Sequence, residues 1–107
     1  MRSSLVALLL LVAAAMPALA ADAQVTISLR DHRFVPAEVP VPAGLKIELI
    51  VKNEQSANAE FESMVLHREK IVPPGGQVSI FVGPLTPGTY EFFDDFNRAT
   101  TGRLIAR

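Results

Sequence analysis

Most of the chemistry open to this chain lies in its carboxylates. The stretch Pro-Gly-Thr-Tyr-Glu-Phe-Phe-Asp-Asp-Phe-Asn, residues 87–97, runs from aromatic residues into the paired acids Asp94 and Asp95. On the two-residue period of a strand, Tyr90, Phe92 and Asp94 share one face, and Glu91, Phe93 and Asp95 share the other. With the aromatic face inward, Asp94 enters apolar surroundings, where an unpaired charge costs roughly several kcal/mol. Such a carboxylate must be protonated, paired or bound to a cation; capping the amides of the following loop is the alternative. A second acidic pair, Glu60 and Glu62, alternates in the same way along residues 60–66. Of the two histidines, His67 lies three residues after Met64, and an imidazole with a thioether suits copper. Standing alone, His67 reads first as a surface histidine, and Met64 as packing. His32 follows the first strand as an outside candidate.

Other chemistries are excluded. A hydrolytic triad needs a nucleophile beside a positioned histidine, and neither His32 nor His67 has that context. Gly75-Gly76 follows Pro73-Pro74 and marks a turn, not a phosphate loop. Paired carboxylates can cleave glycosides, but a chain this short offers little room for a sugar cleft. No residue reads as catalytic.

The 107-residue chain has 10 basic and 11 acidic residues and no cysteine. Residues 1–20 read as a secretory signal: Arg2, an apolar run over 5–15, then Pro17 before Ala18-Leu19-Ala20, with cleavage after Ala20. The run is shorter than the roughly 20 residues of a membrane span. Residues 21–107 then form one small exported domain. Without Arg2 it has 9 basic and 11 acidic residues, a net charge of −2. That balance leaves no basic footprint for nucleic acid. Without disulfides, packing, alone or with a bound ligand, must hold the domain together.

The expected elements are short strands. Residues 25–29 alternate cleanly, and Val39 and Val41 alternate with Pro40 and Pro42 as an edge strand. Residues 45–51 place Leu45, Ile47, Leu49 and Val51 on one face. Residues 60–66 read as a strand with Phe61, Ser63 and Val65 inward, against a competing one-turn helix over 56–62. Residues 78–82, 89–94 and 104–106 complete the set, with a loop over 95–102. Seven or eight strands and no long helix predict an all-β sandwich.

Phe34-x-Pro36-x-x-Val39-x-Val41-Pro42-Ala43-Gly44 resembles the N-terminal signature of cupredoxin-like domains. The strand ending at Asn53, the Pro-Gly-Gly turn and Pro87-Gly-Thr-Tyr-x-Phe fit the same pattern, so the resemblance spans nearly all of residues 21–107. It implies a Greek-key β-sandwich. The chain is also similar to the small periplasmic cupredoxins that accompany bacterial high-affinity iron permeases, through Glu60-Phe61-Glu62-Ser63, Arg68-Glu69-Lys70 and Gly83-Pro84-Leu85-x-Pro87-Gly88-x-Tyr90-x-Phe92-Phe93. Against the Tyr-x-Phe-x-Cys-x-x-His pattern of blue-copper members, Asp94 replaces the cysteine and Asn97 the second histidine. Ala59 falls near the first. A blue-copper site is excluded, because that site needs a thiolate.

In the resembled fold the strands holding Glu60 and Asp94 run antiparallel, so Glu60, Glu62, Glu91 and Asp95 share an outer face. Four carboxylates repel unless a cation relieves them. Oxygen donors suit iron, manganese or calcium more than Cu(I); a solvated acidic face that needs no ion is the alternative. The resemblance implies a periplasmic protein that binds iron or copper and assists ferrous-iron uptake with a membrane permease and companion proteins. Oxidation of Fe(II) before transfer stays an open step, with binding and handover favoured over catalysis. Glu60, Glu62, Asp94 and Asp95 are the expected ligands, with His67 and His32 outside them. A copper-binding protein using His32, His67 and Met64, and a metal-free adaptor docking through Ala59, Asp94 and Asn97, are the other readings. The oligomeric state is not legible.

Overall fold

The computed structural model describes residues 21–107; the expected signal segment, 1–20, lies outside them. Nine strands form two sheets: β1 (Ala23–Arg30), β2 (Arg33–Val35), β3 (Glu38–Val41), β4 (Ile47–Asn53), β5 (Ala59–Ser63), β6 (Arg68–Val72), β7 (Gln77–Val82), β8 (Gly88–Asp94) and β9 (Asn97–Ala106). The four-stranded sheet is ordered β2-β1-β4-β7 and the five-stranded sheet β3-β9-β8-β5-β6. No helix occurs among the described residues, so the one-turn alternative over 56–62 is set aside.

Alternation builds the core. Ile47, Leu49, Val51 and Asn53 are buried along β4, and Ile27 and Leu29 along β1. From the other sheet come Val39, Val41, Phe61, Phe92 and Leu104. Phe34, Phe61 and Phe92 meet between the sheets. The Phe61 and Phe92 rings stack at 4.9 Å, and Phe34 meets Phe92 edge-on, also at 4.9 Å. Such pairs add about 0.5–1.5 kcal/mol beyond their buried area. Asn53 is buried with its polar atoms satisfied. Its Nδ2 donates to Ala57 O at 2.8 Å and to Val72 O at 3.0 Å, and its Oδ1 accepts from Gln55 N. One side chain thus ties β4 to the β4–β5 loop and to β6 in the facing sheet.

Four details differ from the expectation. Leu45 lies outside β4 and is exposed. β2 and β6 are additional strands; β6 pairs with β5 in antiparallel register but buries only Val72. β5 ends at Ser63, and Val65, expected inward, stands exposed in the turn before β6. The loop expected over 95–102 is a two-residue turn, Asp95-Phe96, after which β9 runs from Asn97. Thr100 and Thr101 are β-branched and suit a strand. Thr100 points inward, its hydroxyl donating to His32 O at 2.7 Å.

Candidate metal centre

β5 and β8 lie side by side, with Phe61 opposite Asp94 and Glu62 opposite Phe93. Inward-facing Ala59, Phe61 and Ser63 leave Glu60 and Glu62 on the outer surface of the five-stranded sheet. Asp95 follows β8, and its N–H donates to Glu60 O at 2.9 Å, pinning the turn against β5. Glu60, Glu62 and Asp95 can each offer one carboxylate oxygen such that all three lie within 4.8 Å of one another. That separation is one a single cation with metal–oxygen bonds of about 2.0–2.6 Å can bridge.

The electrostatics agree with the crowding. Partial burial raises the Glu60 pKa above its ordinary value; the Asp95 carboxyl and the charges of Glu69 and Glu62 push the same way. The Glu62 pKa is raised by partial burial first, then by Asp95 and Glu69, with Arg98 opposing. Arg98 is the cluster's own cation. Its Nη2 lies 2.8 Å and its Nε 3.0 Å from Asp95 Oδ1, and its guanidinium lies over the Phe93 ring at 5.6 Å. Glu69 enters because β6 places it directly opposite Glu62. Sequence reasoning singled out its segment but did not place it with the acids, since β6 carries no alternation. Glu91 parts from the group: it sits opposite Arg103 and lines a shallow groove of about 550 Å³ with Phe93, Arg98 and Glu38.

Asp94 is 3% exposed, as its register predicts. Its Oδ1 accepts two backbone N–H bonds of 3.0 Å, from Glu60 and from Phe96. The second closes an Asx-type turn, in which an aspartate accepts from the amide two residues on. Capping of turn amides, the alternative to a ligand role, is thus the arrangement present.

The two histidines stand at opposite ends of the sandwich. His32, in the β1–β2 turn with φ of 58°, is held by three contacts. Its N–H donates to Gln55 Oε1 at 2.8 Å, its carbonyl accepts from Thr100, and its Nδ1 lies 2.8 Å from Asn97 Nδ2. His67 occupies the β5–β6 turn, where the neighbouring Arg68 Nε donates to Phe81 O at the other end of the sheets. Met64, in the same turn, is 70% exposed and packs against nothing in the core. A site joining His32 to His67 and Met64 is not assembled. The donors of a blue-copper centre do not fit either, since the chain has no cysteine, Ala59 is apolar, and Asp94 is committed to backbone amides.

These features define a cupredoxin-like sandwich that lacks the thiolate a blue-copper site requires. The chain belongs to the cupredoxin-like domain family, whose model matches residues 3–106. It is 49% identical over 82 residues to an uncharacterized protein of Rickettsia prowazekii (strain Madrid E), covering 77% of this chain and 66% of that protein. The chain thus spans just under two thirds of that relative's length. Among solved structures, the metal-binding domain of the Cu(I)-exporting P-type ATPase CopA of Streptococcus pneumoniae D39, determined with Cu(I), superposes with a TM-score of 0.69. It is 14% identical, over 78% of this chain and 84% of that one. Amicyanin from Paracoccus versutus gives a TM-score of 0.63 at 13% identity, over 78% and 81% of the two chains. A purple cupredoxin from Nitrosopumilus maritimus gives 0.59 at 15%, over 80% and 100%. At these identities the likeness is one of fold.

Proposed function

We propose that this protein is a periplasmic ferrous-iron-binding member of the cupredoxin-like family that binds its cargo on the sheet's outer face and hands it to a membrane permease. The observation that carries this reading is the convergence of Glu60, Glu62 and Asp95 within 4.8 Å. Three carboxylate oxygens form a hard donor set suited to Fe(II) more than Cu(I). The Glu60 and Glu62 pKa values are raised first by partial burial and then by neighbouring acids, and a cation would relieve that second, repulsive part. A half-buried site with three protein donors on the sheet's outer face leaves coordination positions for water or for a receiving group, which suits handover. Iron is substrate here, and no residue supplies a redox step.

The role in uptake is tested in cells. A strain lacking the gene should take up ferrous iron more slowly under limitation, and wild-type protein should restore the rate while Glu60→Ala with Glu62→Ala should not. Full restoration by the double variant would overturn the reading. A copper-binding role is the weaker reading, since His32 stands apart from His67 and Met64.

A further inference from the structure

The residue at the family's cysteine position has a use of its own. Asp94 is buried, yet no side-chain cation faces it, and both of its hydrogen bonds fall on Oδ1. Oδ2 accepts none among the described residues. Since no buried side-chain oxygen there lacks a partner, Oδ2 keeps contact with solvent. The two donors are the N–H groups of Glu60 and Phe96, and these flank Asp95 in space: Phe96 follows it, and Glu60 accepts its N–H.

We infer that Asp94 is a positioning residue, a buried acceptor clamp that locks the start of β5 to the Asp95-Phe96 turn and so holds the Glu60 and Asp95 carboxylates together. Its role toward a cation rests on the outer-face reading above; the clamp itself does not. The Asp95-Phe96 turn has neither glycine nor positive φ, so its closure rests on the Asp94 carboxyl oxygen. The irregular register between β8 and β9 falls at this point, between Phe93 and Asp94.

The test uses three forms of the 21–107 domain, wild type, Asp94→Asn and Asp94→Ala, with two readouts. Asparagine keeps an oxygen for both N–H groups and replaces only the oxygen that has no protein partner. Amide exchange at Glu60 and Phe96 should therefore stay within about threefold of wild type in Asp94→Asn and rise about tenfold or more in Asp94→Ala. Fe(II) affinity should fall no more than about threefold in the first and at least tenfold in the second. Unchanged exchange in Asp94→Ala, or equal loss in both variants, would overturn the clamp. A tenfold affinity loss in Asp94→Asn with exchange protection intact would make Asp94 a ligand instead. If Asp94→Ala does not fold, Asp94→Ser replaces it: the shorter side chain should lose protection at Glu60, and retained protection there would refute the proposal. A wild-type domain that binds no Fe(II) would overturn the outer-face reading alone, and exchange would still decide the clamp.

Discussion

Glu60 and Glu62 show how the cluster depends on pH. Both carboxyls hold protons more tightly folded than at their ordinary value of 4.5, chiefly through partial burial and then through neighbouring acids. Between 4.5 and the raised values the folded state binds more protons than the unfolded chain, so stability falls as pH rises through that window. Above it the full repulsion is present. We therefore expect metal-free Glu60→Gln/Glu62→Gln to melt above wild type at pH 7, with the difference vanishing as pH drops below 4.5. Parallel melting scans would show it, and a gap independent of pH would contradict it. Protons and a cation compete for the same oxygens, so affinity should also fall with pH across that window. Arg98 opposes the cation at Asp95. Arg98→Gln should tighten binding about two- to fivefold, the size of an exposed ion pair, and calorimetry against wild type would detect it.

At the scale of elements, legibility followed alternation. β1, β4 and β8 repeat apolar residues every second position, and that period placed Phe92 and Asp94 inward correctly. β6 was missed because it is an edge strand with four exposed residues before Val72, and with it went the placement of Glu69 beside Glu62. The β8–β9 hairpin was read as a loop because Asp95-Phe96 lacks the glycine that marks a two-residue hairpin turn. Its signal is Asp94, whose acceptor role becomes visible only once β5 is alongside. Two further residues join elements without touching the acids. A methyl at Gly102 would meet the Phe92 ring at 2.5 Å and Ala37 O at 3.0 Å, so Gly102→Ala should cost about 1–3 kcal/mol. Asn53→Ala leaves the carbonyls of Ala57 and Val72 without their donor, at about 1–3 kcal/mol. Denaturant unfolding measures both; neutral effects would mean the sheets are tied together elsewhere.

For the whole molecule, fold and site separate. The two-sheet sandwich is that of the cupredoxin-like family, while Ala59, Asp94 and Asn97 stand where the resemblance to blue-copper members puts soft ligands. Sequence alone exposed that depletion, since it required only the absence of cysteine and the register of β8. The resemblance already put Glu60, Glu62, Glu91 and Asp95 on one outer face, but it could not show that Glu91 parts from the group, because strand pairing and register decide it. The same topology sets His32 and His67 at opposite ends, which separates an acidic-face site from one at the pole. The direct measurement is anaerobic calorimetric titration of the 21–107 domain with Fe(II), in wild type, Glu60→Gln/Glu62→Gln and His32→Ala. The account predicts saturable binding near one equivalent, weakened at least tenfold by the double carboxylate change and kept within about threefold by His32→Ala, because hard oxygen donors carry the ion. Binding that survives the loss of Glu60 and Glu62 but fails in His32→Ala would place the site at the pole and contradict it.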